Sequence, residues 1–148
     1  MLYFRERLSP AWWLIVAIGL AIPATTLVLL PLNLTLGIGV GVGFWAGAVG
    51  LLWAASPSIS LEGGSLRAGR ATVEVGFIHS AEAFRDGAAR EQRGVALDAR
   101  AWLVIRGWID PVVKVRLHDP DDPTPYWLIS TRKPDELLQA LESARKPT

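Results

Sequence analysis

The chain has no cysteine, which removes disulfides, thiolate nucleophiles, zinc ribbons and iron–sulfur ligation together. It has only two histidines, and it contains no GxSxG elbow, no phosphate-binding P-loop and no GxGxxG fingerprint, so none of these motifs marks it as an enzyme. A net charge of +1 provides no polycationic surface, and nucleic acid is not an expected partner. The most informative absence is local: between Arg7 and Glu62 there is no charged residue at all. With 148 residues and 51% hydrophobic content, the chain has room for a membrane segment with one small domain attached.

A bilayer core of about 30 Å needs about 20 apolar residues in a helix. The uncharged interval holds two such spans, Trp12–Leu30 and Leu36–Ala55, separated by the turn-forming PLNLT with Pro31 and Asn33. The sequence therefore predicts a transmembrane hairpin. Arg5 and Arg7 precede it, Arg67 and Arg70 follow it, and the connecting loop has no Lys or Arg. By the positive-inside rule both termini are expected in the cytoplasm, in a multi-pass protein of the inner membrane. Trp12, Trp13 and Trp53 then fall at one interface, which suits their amphipathic indoles. A cleavable signal peptide ending near Ala21 or Ala24 is the rival, but the apolar run continues to Leu30, past the usual length. Pro23 is expected to kink the first helix, with Thr25 and Thr26 helping to satisfy freed carbonyls.

Glycine is abundant in the second span, LGIGVGVGFWAG. A lone strand cannot span lipid, so a helix is expected. At about 100° per residue Gly39, Gly43, Gly47 and Gly50 share one face and Gly37 and Gly41 lie roughly opposite. Small residues at such spacing permit close helix contact. The larger face is expected to pack on the first helix, leaving Gly37 and Gly41 for a second copy or another membrane protein.

From Ser56 the pattern becomes short strands divided by turns. SISLEGG alternates Ile59 and Leu61 before the hairpin signal Gly63-Gly64, and ATVEVGFI puts Val73, Val75 and Phe77 on one face. Residues 81–94 are polar and fit either a helix or a loop. ARAWLVIRGW reads as a strand covered on both sides. After Asp110-Pro111, VVKVRLH places Val113, Val115 and Leu117 opposite Lys114, Arg116 and His118, and PYWLIST is the last strand. A terminal helix follows, with Pro134 at its first position, acids Asp135 and Glu136 early, bases Arg145 and Lys146 late, and Leu137, Leu138 and Leu141 as its apolar stripe. The expected organisation is a cytoplasmic segment 1–11, a two-helix hairpin 12–55 and a cytoplasmic β-domain 56–148. That domain is a small β-rich α+β fold, a curved sheet or partly open barrel with a C-terminal helix.

HDPDDPTP, residues 118–125, could suggest a metal site. Its three prolines keep it out of a ladder, and Asp119, Asp121 and Asp122 suit a turn. The glycine and the later bidentate Glu of a calcium loop are missing, and zinc would need more than His118 and His79. No metal, cofactor or catalytic residue is assigned.

Three stretches, RERLSPAWW, RAWLVIRGWI and DPDDPTPYWLISTRKP, make the chain resemble a family of small actinobacterial membrane proteins that share a domain of unknown function. The resemblance implies two transmembrane helices followed by a β-rich cytoplasmic domain, and carries no catalytic residue. By element order that domain is also similar to pleckstrin-homology-like (PH-like) domains. Three functions follow. The first is a non-enzymatic, membrane-tethered adaptor, for which Trp108, Tyr126 and Trp127 are the candidate contacts to a protein partner. The second is an anionic-lipid sensor using Arg67, Arg70, Arg106, Lys114 and Arg116. The third and least favoured is a metal-dependent enzyme at His118.

Overall fold

In the computed structural model of the protein residues 2–146 are described; Met1, Pro147 and Thr148, which close the outer segments expected above, lie outside the described residues. The chain forms two compact units, one of Ser9–Ser56 and one that joins the N-terminal stretch through Leu8 to everything from Pro57 onward.

The first unit is a helical hairpin of α1 (Trp12–Gly19), α2 (Ala21–Leu29) and α3 (Leu34–Ala54). Its arms, Trp12–Leu29 and Leu34–Ala54, are each long and apolar enough to cross a membrane. The first arm is interrupted at Leu20, whose N–H turns back to the Ala17 carbonyl at 3.2 Å. Pro23 explains the interruption, because it offers no N–H to the Gly19 carbonyl and its ring crowds that group. The threonines bond elsewhere than at that freed carbonyl. The Thr26 hydroxyl donates to Ile22 O at 2.7 Å, and that of Thr25 points between Ala21 O (2.8 Å), Ile22 O (3.0 Å) and, across the hairpin, Gly37 O (3.3 Å). At the turn Asn33 caps α3 by accepting from Leu36 N–H at 3.1 Å.

The glycine faces are the reverse of the expectation. Gly37 and Gly41 are the two buried residues of α3. A Cβ added at Gly37 would lie 2.9 Å from Thr26 Cα, and one at Gly41 would lie 2.7 Å from Ile22 Cα. Gly39, Gly43, Gly47 and Gly50 would meet nothing within 4 Å. A helical wheel separates the two sets but cannot choose between them. The choice falls to α2, whose Thr25 and Thr26 meet the Gly37 side. Near the middle of α3 the Trp45 indole donates to Ile15 O at 3.1 Å and ties α3 to α1.

The second unit begins with β1 (Leu2–Arg7), so residues 1–11 are not a separate segment: their described strand is part of the β-domain. β1 pairs antiparallel with β2 (Ser58–Glu62), which continues through β3 (Ser65–Ala68) and β4 (Ala71–Glu74) as a four-stranded sheet in chain order. Gly63 and Gly64 both have positive φ, +57° and +79°, as a two-residue type I′ hairpin requires. A single helical turn at Val75–Phe77 ends the meander. It leaves Val75 buried but turns Phe77 outward to 37% exposure, against the expected single strand.

The second sheet has the order β5-β7-β8-β6, from β5 (Ile78–Phe84), β6 (Trp102–Val104), β7 (Val112–Leu117) and β8 (Tyr126–Ser130), with β6 parallel to β8. The ambiguous stretch 81–94 resolves into the end of β5 and α4 (Asp86–Arg93). ARAWLVIRGW does not form a covered strand: only Trp102–Val104 pair, at the sheet edge, with Trp102 and Leu103 exposed. Ser130 accepts from the Arg106 N–H at 3.0 Å and ends that ladder. No closed barrel forms among the described residues; the two sheets and α5 (Pro134–Arg145) enclose one core. Ile59, Leu61 and Leu66 come to it from the first sheet, Val113, Val115 and Ile129 from the second, and Leu137 and Leu141 from the helix.

Glu6, on the inner face of β1, reaches the start of α5. Its carboxylate accepts from the Thr131 hydroxyl and from Arg132 N–H at 3.0 Å, and Thr131 is fully buried. Glu6→Ala should therefore destabilise the domain by about 1–3 kcal/mol, because a buried hydroxyl loses its acceptor, with Glu6→Gln milder. Chemical denaturation of the full chain in detergent measures this, and equal stability would separate β1 from the fold. In the hairpin Gly41→Leu should cost roughly 1–3 kcal/mol by overpacking, whereas Gly43→Leu should leave helical melting in detergent unchanged. Equal effects would contradict the assigned face.

Candidate functional site

The aromatic candidates do not form a contact surface. Trp127 is 3% and Tyr126 7% exposed, because β8 is covered on both faces. Trp127 and Ile129 enter the main core, while Tyr126 and Leu128 join Ala89 and Val112 in a second cluster under α4. The Tyr126 hydroxyl accepts from Asp98 N–H at 2.7 Å and donates to Ala96 O at 3.4 Å. Trp108 packs against the main core. Tyr126 and Trp127 are therefore structural, and the expected partner contact through them is withdrawn: alternation does not show burial on both faces of a strand.

The basic candidates divide by sheet. Lys114, on β7, donates to Gln92 Oε1 at 2.9 Å and lies 4.2 Å above the Tyr126 ring, so its charge is engaged within the domain. Arg106 donates to its neighbour Ile105 O at 2.8 Å, and Arg116 is exposed on β7. Arg67 and Arg70 belong to the first sheet, Arg67 on β3 and Arg70 in the following turn, and both are exposed. There the register sets Arg5 opposite Ser60 and Ser60 opposite Arg67, so two arginines distant in sequence share one row. Arg5 and Arg7 are the residues that sequence reasoning used only for orientation. The alternation of LYFRER, with Phe4 buried and Arg5 and Arg7 exposed, is the signal that would have placed them in a strand.

The corner at 118–125 is a set of local turns. Asp119 accepts from Asp121 N–H and Asp122 from Thr124 N–H, each at 2.9 Å. The Thr124 hydroxyl and N–H hold the Asp122 carboxyl below its ordinary range. His79 and His118 approach the same end of the β5–β7 pair, since Ile78 faces Leu117. Both are exposed, and among the described residues no three His, Asp or Glu side chains are grouped to hold a metal.

Asp110 joins segments distant in sequence. It accepts from Asp86 N–H at 2.7 Å, where Asp86 has a left-handed φ of +52°, and it pairs with Arg93 at 3.2 Å. Arg93 also donates to Ile109 O at 3.1 Å and Asp110 O at 2.8 Å. These bonds fasten α4 to the β6–β7 connection, and the Asp86 N–H foremost, then Arg93, lowers the Asp110 carboxyl below its usual value. A lowered carboxylate contributes stability above the ordinary carboxylate range and loses it as pH falls through the lower folded value. The stability gap between wild type and Asp110→Asn should thus be open at neutral pH and close in acid below about pH 4. Thermal melts across pH measure this; a pH-independent gap would assign the effect to something other than this charge.

No curated protein and no solved structure matches the chain. The family described as "Protein of unknown function (DUF3093)" matches residues 3–141, a span that includes most of β1, the hairpin, the other strands of both sheets and most of α5, and the chain belongs to that family.

Proposed function

We propose that this protein is a non-enzymatic, membrane-tethered interaction module of the cytoplasmic membrane, with α1–α2 and α3 spanning the bilayer and a PH-like β-domain on the cytoplasmic side. One observation carries this: an uncharged helical pair with its apolar side chains uncovered is spliced between two adjacent strands of a folded domain. No residue of the first arm is buried, and in the second only Gly37 and Gly41 are. Water would not tolerate so large an apolar surface, whereas lipid favours it. Leu8 N–H bonds Pro57 O at 3.0 Å, so the chain leaves the sheet and returns to it side by side, as a hairpin inserted from one face requires.

Orientation rests on arginine, which flanks the hairpin at both ends and is absent from its turn. The PH-like description rests on two four-stranded sheets around one core with a terminal helix. An interaction role is favoured over chemistry because the polar groups with shifted titration, Asp98, Arg100, Asp110 and Asp122, are each already engaged in hydrogen bonds within the domain. Tethering raises the local concentration of such a domain, so a weak contact near the membrane suffices.

The cysteine-free chain makes the test clean. In intact spheroplasts a membrane-impermeant maleimide should label Leu32→Cys, at the hairpin turn, and should label Asp121→Cys only after permeabilisation. Release by carbonate, or labelling of Asp121→Cys in intact cells, would overturn the placement. Proximity labelling from the β-domain should enrich one neighbour over a control carrying the hairpin alone; identical profiles would remove the interaction role.

A further inference from the structure

We infer that the hairpin end of the first sheet's outer face is a contact site for anionic phospholipid headgroups, built by Arg5, Arg7, Arg67 and Arg70; this rests on the membrane placement proposed above. The strand register carries the argument. Phe4, Leu61, Leu66 and Val73 form an inward row and are buried. The next row, Arg5–Ser60–Arg67–Thr72, therefore faces outward. Arg7, opposite Ser58, lies further toward the hairpin, and the Gly69–Arg70 turn closes β3 and β4 at that same end. All four arginines are exposed.

No carboxylate stands in the arginine row itself. Glu62 and Glu74 flank Ser65 in the next outward row, on the side away from the hairpin. Glu6 faces inward and is taken up by Thr131 and Arg132. Positive charge is thus gathered in the outward positions next to the chain's entry into the apolar helices, and the outward carboxylates stand one row further away. Orientation alone would need only basic residues close to the spans in sequence. Arg67 is brought into the row of Arg5, with Ser60 between them, by strand pairing, which orientation does not require, and Ser58, Ser60 and Thr72 add hydroxyl donors suited to phosphate. Only residues 8–11 separate Arg7 from α1 and only residues 55–57 separate α3 from Ser58. At about 3.5 Å per extended residue these segments keep the row near the headgroups. Arg106, Lys114 and Arg116 lie outside this row, on or beside the second sheet.

The test uses the full chain in nanodiscs, with an environment-sensitive probe on Thr72→Cys and a rising fraction of phosphatidylglycerol in phosphatidylcholine. The probe should report headgroup contact that grows with the anionic fraction and weakens with salt. Arg70→Gln, which alters only a turn, should raise the half-saturating fraction about five-fold, and Arg5→Gln with Arg67→Gln more than ten-fold. Arg116→Gln should leave it unchanged. A probe indifferent to anionic lipid in a chain that resists carbonate extraction would overturn the headgroup site while leaving the membrane placement standing. An equal response to Arg116→Gln would do the same, and extraction by carbonate would instead overturn the placement.

Discussion

The pairing of β1 with β2 across the apolar hairpin is the constraint on which the β-domain depends. These strands are neighbours in the sheet but are separated in sequence by the whole of Ser9–Ser56. Closing so long a loop carries an entropy cost if the insert is flexible. An antiparallel hairpin in which Gly37 and Gly41 let α3 approach α2 already returns its ends to one side. The Leu8–Pro57 bond and the Glu6 carboxylate on Thr131 and Arg132 then fix β1 to β2 and to the start of α5. The hairpin is thus an insert in sequence between the domain's first two strands.

The second sheet is organised by burial on both faces. β8 is buried at every position because one side meets the main core and the other meets α4 and its approaches. Large aromatics there are committed to packing and to bonds such as Tyr126 with Asp98 and Ala96. The first sheet keeps one face outside. Function is therefore sought on the first sheet, where an outward row of arginine and hydroxyl groups occurs without a carboxylate in that row.

Several features were legible from sequence for identifiable reasons. The uncharged interval marked two apolar helices, each long enough to cross a membrane, and Gly63-Gly64 set the β2–β3 turn through positive φ. Pro134, with Asp135 and Glu136 after it, marked α5, where Leu137 and Leu141 are buried as the stripe implied. Other features were not legible. LYFRER is short and precedes an apolar run, so it read as a flank and not as a strand. ARAWLVIRGW is apolar enough for a central strand, yet it ends after Val104 at the sheet edge and turns at Arg106–Ile109.

By itself the sequence determined the local and one-dimensional properties: where charge is absent, where backbone conformation demands glycine or proline, and which faces of each element are apolar. Those follow from solvation and dihedral preference, which act within a few residues. Tertiary structure alone decided which partner each face meets. It assigned Gly37 and Gly41 to the hairpin interior, enclosed Tyr126 and Trp127, and set Arg5 in the same row as Arg67. Such choices depend on contacts between segments far apart in the chain, and periodicity within one segment does not encode the identity of the other.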